Sequence, residues 1–134
     1  MVHHDVSARD LQGQTLADYL VNIEADFEII DGRQEVYSEP SFPVAELARE
    51  LARWAAPGGS PPSPFQFSSL SFENPGAVTI TPSSSGWVIS SAFTPDRQSS
   101  PVSWAEVAAC IHEFVDSVKV AVAQLGIDPE RVLS

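Results

Sequence analysis

Cys110, His112, Glu113 and Asp116 are the residues closest together in this chain that could do covalent or metal chemistry. His112 and Asp116 are four apart, so on a helix they share a face. Zinc-binding helices of the His-Glu-x-x-His pattern carry a second histidine where this chain has Asp116, and no third ligand is evident. A Cys–His nucleophile needs both groups on one face with a third group to orient the base. Residues two apart on a helix point about 200° from each other, so Cys110 and His112 cannot pair. The plainer reading is the flank of a core helix with His112 at the water line. No catalytic residue is assigned, and no cofactor is expected. His3, His4 and Asp5 could touch a metal, but at a chain terminus such contacts are mostly adventitious. No functional metal site is therefore expected.

A second concentration of polar groups is more informative. From Tyr19, apolar residues alternate strictly with polar ones: Tyr19, Val21, Ile23, Ala25, Phe27 and Ile29 on one side, Asn22, Glu24, Asp26 and Glu28 on the other. That pattern predicts a long half-buried strand. Asp31-Gly32 then reads as a two-residue hairpin turn, and Arg33 to Glu39 as the returning strand. In that register Ile30 faces Arg33, Glu28 faces Glu35, Phe27 faces Val36 and Glu24 faces Glu39. The outer face gathers Glu24, Asp26, Glu28, Glu35 and Glu39, with Tyr37 opposite Asp26. Like charges directly opposite are destabilising, so such a face invites explanation. A solvated sheet face that discourages edge pairing is one reading. A surface that docks a basic protein is the other, with Glu24, Asp26, Glu28, Glu35, Tyr37 and Glu39 as the contact residues. Strand carboxylates at fixed spacing rarely converge on Ca²⁺ or Mg²⁺ as loop ligands do.

The elements that must position these groups are partly legible. Ser103 to Gly126 is the clearest helix. Trp104, Val107, Ala108, Ile111, Phe114, Val115, Val118, Val122 and Leu125 recur at spacings of three and four. Ser103 and Glu106 make a capping box, and Gly126 supplies the stop. Val44 to Ala55 predicts a shorter helix that buries Val44, Leu47, Ala48, Leu51 and Ala55. Glu46, Arg49, Glu50 and Arg53 would form its solvated face, with Glu–Arg pairs three apart. Residues 56–64, rich in Pro and Gly, predict an exposed loop. Three short strands follow: one around Phe65 to Phe72 with a bulge at Ser68-Ser69, then Ala77 to Thr81, then Trp87 to Phe93. Phe65, Phe67, Phe72, Trp87 and Phe93 could line a ligand pocket, but they fit the core of a twisted sheet better. Asp128-Pro129-Glu130 predicts one last helical turn. Residues 1–16 show no periodicity and predict a poorly ordered arm ahead of one domain over 17–134. The order β-β-α-β-β-β-α predicts an α+β fold: an antiparallel sheet of about five strands with two helices packed on one face.

Composition bounds the rest. The chain has 134 residues, 18 acids and 7 bases, for a net charge of −11. Residues 1–50 hold 11 of the acids against 3 bases. Such a field repels nucleic acid and anionic membrane and attracts basic partners. Bases would have to interleave with the aromatics for strand stacking, and residues 65–93 contain no Lys or Arg. There is no apolar run of membrane-spanning length and no signal-peptide pattern. The single Cys110 offers no intrachain disulfide. A cytoplasmic location is the expectation.

Four stretches carry a resemblance: Phe27-Glu28-Ile29-Ile30-Asp31-Gly32, Phe42-Pro43-Val44-Ala45-Glu46-Leu47-Ala48, Ser71-Phe72-Glu73-Asn74-Pro75-Gly76 and Pro101-Val102-Ser103-Trp104-Ala105-Glu106-Val107. Over roughly residues 19–133 the chain resembles an uncharacterised family of small actinobacterial α+β proteins. These motifs are turns, a cap and core anchors, and they imply no catalytic residue. In size, charge and fold class the chain is also similar to the acidic immunity proteins that neutralise basic nuclease toxins. That likeness implies an immunity or inhibitor-type binding module whose partner is a basic protein such as a nuclease toxin. The alternative is a small-molecule binder or enzyme with a pocket between sheet and helices. A second copy of the chain is a third candidate partner.

Overall fold

The computed structural model describes residues 1–55 and 63–133. The greater part of the Pro- and Gly-rich loop expected over 56–64 lies outside the described residues. The elements are β1 (Val2–Ser7), α1 (Leu16–Asn22), β2 (Glu24–Asp31), β3 (Gln34–Phe42), α2 (Val44–Trp54), β4 (Phe65–Gln66), β5 (Thr79–Ser83), β6 (Gly86–Ser90), α3 (Trp104–Gln124) and α4 (Pro129–Leu133). The fold is α+β with antiparallel strands. In place of one sheet of five strands with two helices, the described residues form two three-stranded sheets, β1-β2-β3 and β4-β5-β6, and four helices.

The first difference lies at the N-terminus. Residues 2–7, expected to be part of a poorly ordered arm, form an edge strand. Val2, His3 and His4 pair with Glu28, Phe27 and Asp26 of β2. This strand was hidden because its ladder breaks between His4 and Ser7, where Asp5 takes φ 57°. That break interrupts the alternation a reader would look for.

The second difference is α1, which replaces the first part of the strand expected from Tyr19. Thr15 caps it. Its hydroxyl accepts from the Asp18 amide at 3.1 Å, while the Asp18 carboxylate accepts from the Thr15 hydroxyl at 2.7 Å and from its amide at 3.0 Å. Those bonds, the hydroxyl's first, hold the Asp18 carboxyl below the usual carboxylate range. Tyr19, Leu20 and Ile23 then bury at helical spacing. The cap stabilises a turn that alternation alone does not reveal.

The third difference is the hairpin register. The two loop residues are Gly32 and Arg33, with Asp31 opposite Gln34 and Ile30 opposite Glu35. Gly32, at φ 61°, occupies the first loop position, where type II′ turns favour glycine. Val36 is then an extra residue, so that Ile29 faces Tyr37, Glu28 faces Ser38 and Phe27 faces Glu39. A one-residue bulge inverts the facing of everything beyond it. Tyr37 therefore turns into the core, only 3% exposed, and does not lie on the outer face opposite Asp26.

The helices follow the apolar pattern closely. α3 has the Ser103–Glu106 capping box and buries Val107, Ile111, Phe114, Val115, Val118 and Val122. Leu125, expected on the stripe, stands partly exposed as the helix ends. α2 buries Val44, Leu47, Ala48 and Leu51 as expected. Glu46 departs from its expected solvated face and is 4% exposed. Its carboxylate accepts from the Ser69 hydroxyl and from the Leu70 amide at 3.1 Å. Among the described residues the expected Glu–Arg pairs on α2 are not within ion-pair distance.

Among the described residues no ladder joins the two sheets. A layer of rings does so instead: Phe27 stacks on Phe42 at 4.4 Å between centroids, and Phe42 meets Phe67 and Phe72 at 5.8 and 5.5 Å. Thr94 and Ser100 add polar ties, the Thr94 hydroxyl to the Val36 carbonyl at 2.9 Å and the Ser100 amide to Asp31 at 2.7 Å. A second aromatic group, Trp54, Phe65, Trp87 and Trp104, joins α2, β4, β6 and the start of α3 at centroid distances of 5.2 to 6.0 Å. Gly86 is required where β6 meets the chain before α3. Its φ is 139°, and a Cβ there would lie 2.7 Å from the Val102 carbonyl oxygen.

Two stability outcomes follow. Glu46→Ala leaves the Ser69 hydroxyl and the Leu70 amide without their acceptor and should cost about 1–3 kcal/mol in urea denaturation. The Tyr37 hydroxyl is buried with no hydrogen-bond partner among the described residues. Burial first, and then the Glu39 charge, hold its pKa above the usual tyrosine range. Tyr37→Phe should therefore leave stability within about 1 kcal/mol of the parent. A larger loss in the same assay would show that the hydroxyl is held after all.

Candidate functional site

The carboxylates expected on one face divide between two. Along β2 the core side takes Ala25, Phe27 and Ile29, and the outer side takes Glu24, Asp26, Glu28 and Ile30. Glu35 joins the outer side across from Ile30. Glu39 lies beyond the Val36 bulge, opposite Phe27, and is half-buried on the other side with Tyr37. Of the residues expected on one face, Glu24, Asp26, Glu28 and Glu35 thus share the outer side, and Tyr37 and Glu39 lie on the other.

β1 adds what the sequence reading omitted. Its pairing with β2 brings the stretch around its bulge alongside Glu24 and Asp26. The result is an open cleft of about 220 Å³ lined by Asp5, Ser7, Arg9, Asp10, Asn22, Glu24, Ala25, Asp26 and Ser41. Four carboxylates and one guanidinium therefore border one concavity. Asp5 and Ser41 both hold positive φ, 57° and 52°, in a region that side chains other than glycine occupy at a cost. Among the described residues no Lys or Arg lies within ion-pair distance of Asp5, Asp10, Glu24, Asp26, Glu28 or Glu35. Glu28 alone has a basic neighbour, the His4 imidazole at 3.6 Å. The signal that could have pointed to Asp5 and Asp10 is the acid count of the first 50 residues, but only strand pairing brings them to β2.

The helix constellation separates as helical geometry requires. Cys110 is half-buried with its sulfur 3.8 Å from the Met1 amino group, on the β1 side of α3. His112 and Asp116 share a different side with Lys119. There they border a groove of about 260 Å³ between α2 and α3, floored by Ala52, Ala55, Ala108, Ile111 and Val115. Among the described residues no group of three or more His, Cys, Asp or Glu side chains is arranged to hold a metal ion. Of the aromatics weighed as pocket lining, Phe65, Phe67 and Trp87 are buried in the core, Phe72 is half-buried and Phe93 is 40% exposed. No helix among the described residues is long and apolar enough to cross a membrane.

No curated protein and no solved structure matches the chain. Residues 2–124 match a family described as Domain of unknown function (DUF7878). That span runs from the edge strand β1 through the last turn of α3, so it includes every residue bordering the acidic cleft and the helix groove. The chain belongs to this family.

Proposed function

We propose that the protein is an acidic protein-binding module of immunity or inhibitor type that docks a basic partner through the outer face of the first sheet. The observation that carries this reading is the cleft between β1 and β2, where Asp5, Asp10, Glu24 and Asp26 converge with only Arg9 to offset them. Carboxylates held near one another repel. A partner that inserts Arg or Lys side chains relieves that repulsion, and the surrounding charge of the first 50 residues speeds its approach. Glu28 and Glu35 extend the same field along the sheet. A basic nuclease toxin has the surface chemistry such a face would cover.

A second reading has its own support in the groove between α2 and α3. Its apolar floor and the His112, Asp116 and Lys119 groups at its border suit a small amphipathic ligand. This site lies between helices and not between sheet and helices.

The two readings separate in a capture experiment. The bait is the whole chain, compared with a variant carrying Asp5→Asn, Asp10→Asn, Glu24→Gln and Asp26→Asn. One dominant basic protein should be captured from lysate of the source organism at low salt. It should be lost in about 0.5 M salt, where the Debye length falls to a few Å, and lost from the neutralised bait. A partner retained by both baits overturns the cleft as the site. An empty capture with folded bait overturns the protein-binding reading and leaves the helix groove. The neutralised variant should also melt higher than the parent at low salt, and the gain should shrink as salt screens the repulsion.

A further inference from the structure

β1 is an edge strand of its sheet and half of the acidic cleft, and His3 ties it to the helix beneath. His3 lies opposite Phe27 of β2, with its ring edge-on to Phe114 of α3 at 6.0 Å between centroids. Its Nε2 is 2.9 Å from the Ser117 hydroxyl. Ser117 has a single hydroxyl proton and donates it to the Phe114 carbonyl at 2.7 Å. At His3 the Ser117 oxygen must therefore accept, so Nε2 carries the proton and the lone pair of the neutral ring is at Nδ1. Protonation at Nδ1 puts a cation into a half-buried site.

No ion pair among the described residues balances that cation. From α3 it faces Phe114 and Ser117, with Cys110 one turn away beneath the Met1 amino group. From β2 it faces Phe27, and the nearby Glu28 carboxylate is directed to His4 at 3.6 Å. On its own strand the neighbour is His4, which adds like charge when protonated. No carboxylate among the described residues lies within ion-pair distance of His3.

We propose that β1 is a proton-released strap: protonation of His3 frees the strand from the β2 edge and removes Asp5 and the turn after it from the acidic cleft. Burial first, and then the His4 charge, lower the pKa of His3 below its ordinary 6.5, against an opposing hydrogen bond to the Ser117 backbone. The released strand takes up the proton more readily than the docked one. Docking is therefore strongest above pH 6.5 and weakens as the pH falls below it. Asp5, at φ 57°, also relaxes on release. The His4–Glu28 contact joins groups that are 60% and 30% exposed, and such pairs hold weakly. The consequence for partner binding rests on the cleft being the binding site, whereas strand release does not.

Amide hydrogen exchange read by mass spectrometry tests it on the whole chain, with rates corrected for the intrinsic effect of pH. Between about pH 7.5 and about pH 5, on either side of the imidazole range, protection over residues 2–7 should fall roughly three-fold or more. Protection over residues 79–90 should hold. His3→Gln keeps a donor for Ser117 and cannot ionise, and His3→Phe keeps a ring against Phe114. In both, the response of residues 2–7 to pH should vanish, while His4→Gln, which removes the like charge beside His3, should reduce it without abolishing it. Unchanged protection in the parent at the lower pH overturns the proposal. So does a loss that persists in both His3 variants, or one that spreads equally to residues 79–90. The assay contains no partner, so a chain that binds nothing through its cleft would still show the strap.

Discussion

The stack of Phe27 on Phe42 is the contact on which the rest of the structure depends. Phe27 comes from the central strand of the first sheet, and Phe42 is the last residue of β3 before the chain turns into α2. Phe114 of α3 meets Phe27 at 5.8 Å, and Phe67 of the loop after β4 meets Phe42 at 5.8 Å. All four rings are essentially excluded from water. They hold the sheets and the long helix together where no backbone ladder spans the gap. Edge-to-face and offset ring contacts add to the apolar burial such side chains already provide. Because the junction is made of side chains, each sheet keeps its own register and twist.

Around that junction the polar interior is sparse and specific. Glu46 is the buried carboxylate, and it binds the loop that follows β4 through Ser69 and Leu70. A buried carboxylate is costly unless its oxygens are satisfied. Here the hydroxyl and amide of one loop satisfy it, and in return the loop has a defined conformation above the first turn of α2. Leu70, whose amide is held this way, points its side chain out with 65% exposure.

Charge follows a different logic from packing. The outer side of β2 carries Glu24, Asp26 and Glu28 because alternation puts them opposite the core residues Ala25, Phe27 and Ile29. Pairing with β1 then adds Asp5 and Asp10 to Glu24 and Asp26. The strand that completes the cleft has an edge position, an interrupted ladder and the His3 ring against α3. The site and the way to dismantle it thus lie in the same short segment.

Local patterns in the sequence determined the two long helices and their apolar faces, the capping box of α3, the α+β class, and the outward aim of Glu24, Asp26 and Glu28. These features depend on residues within one or two turns, or on strict alternation, and both signals are strong at Ser103–Gln124 and Glu24–Ile30. Tertiary structure alone decided the rest. The Val36 bulge turned Tyr37 inward and parted Glu39 from the other acids. The Thr15–Asp18 cap converted the start of an apparent strand into α1. Glu46 left the solvated face of α2 because a loop more than twenty residues away offered two donors. Asp5 and Asp10 reached the cleft through pairing between β1 and β2. Each of these outcomes turns on a contact between distant segments or on one residue of register, and a short window of sequence carries no energy term for either.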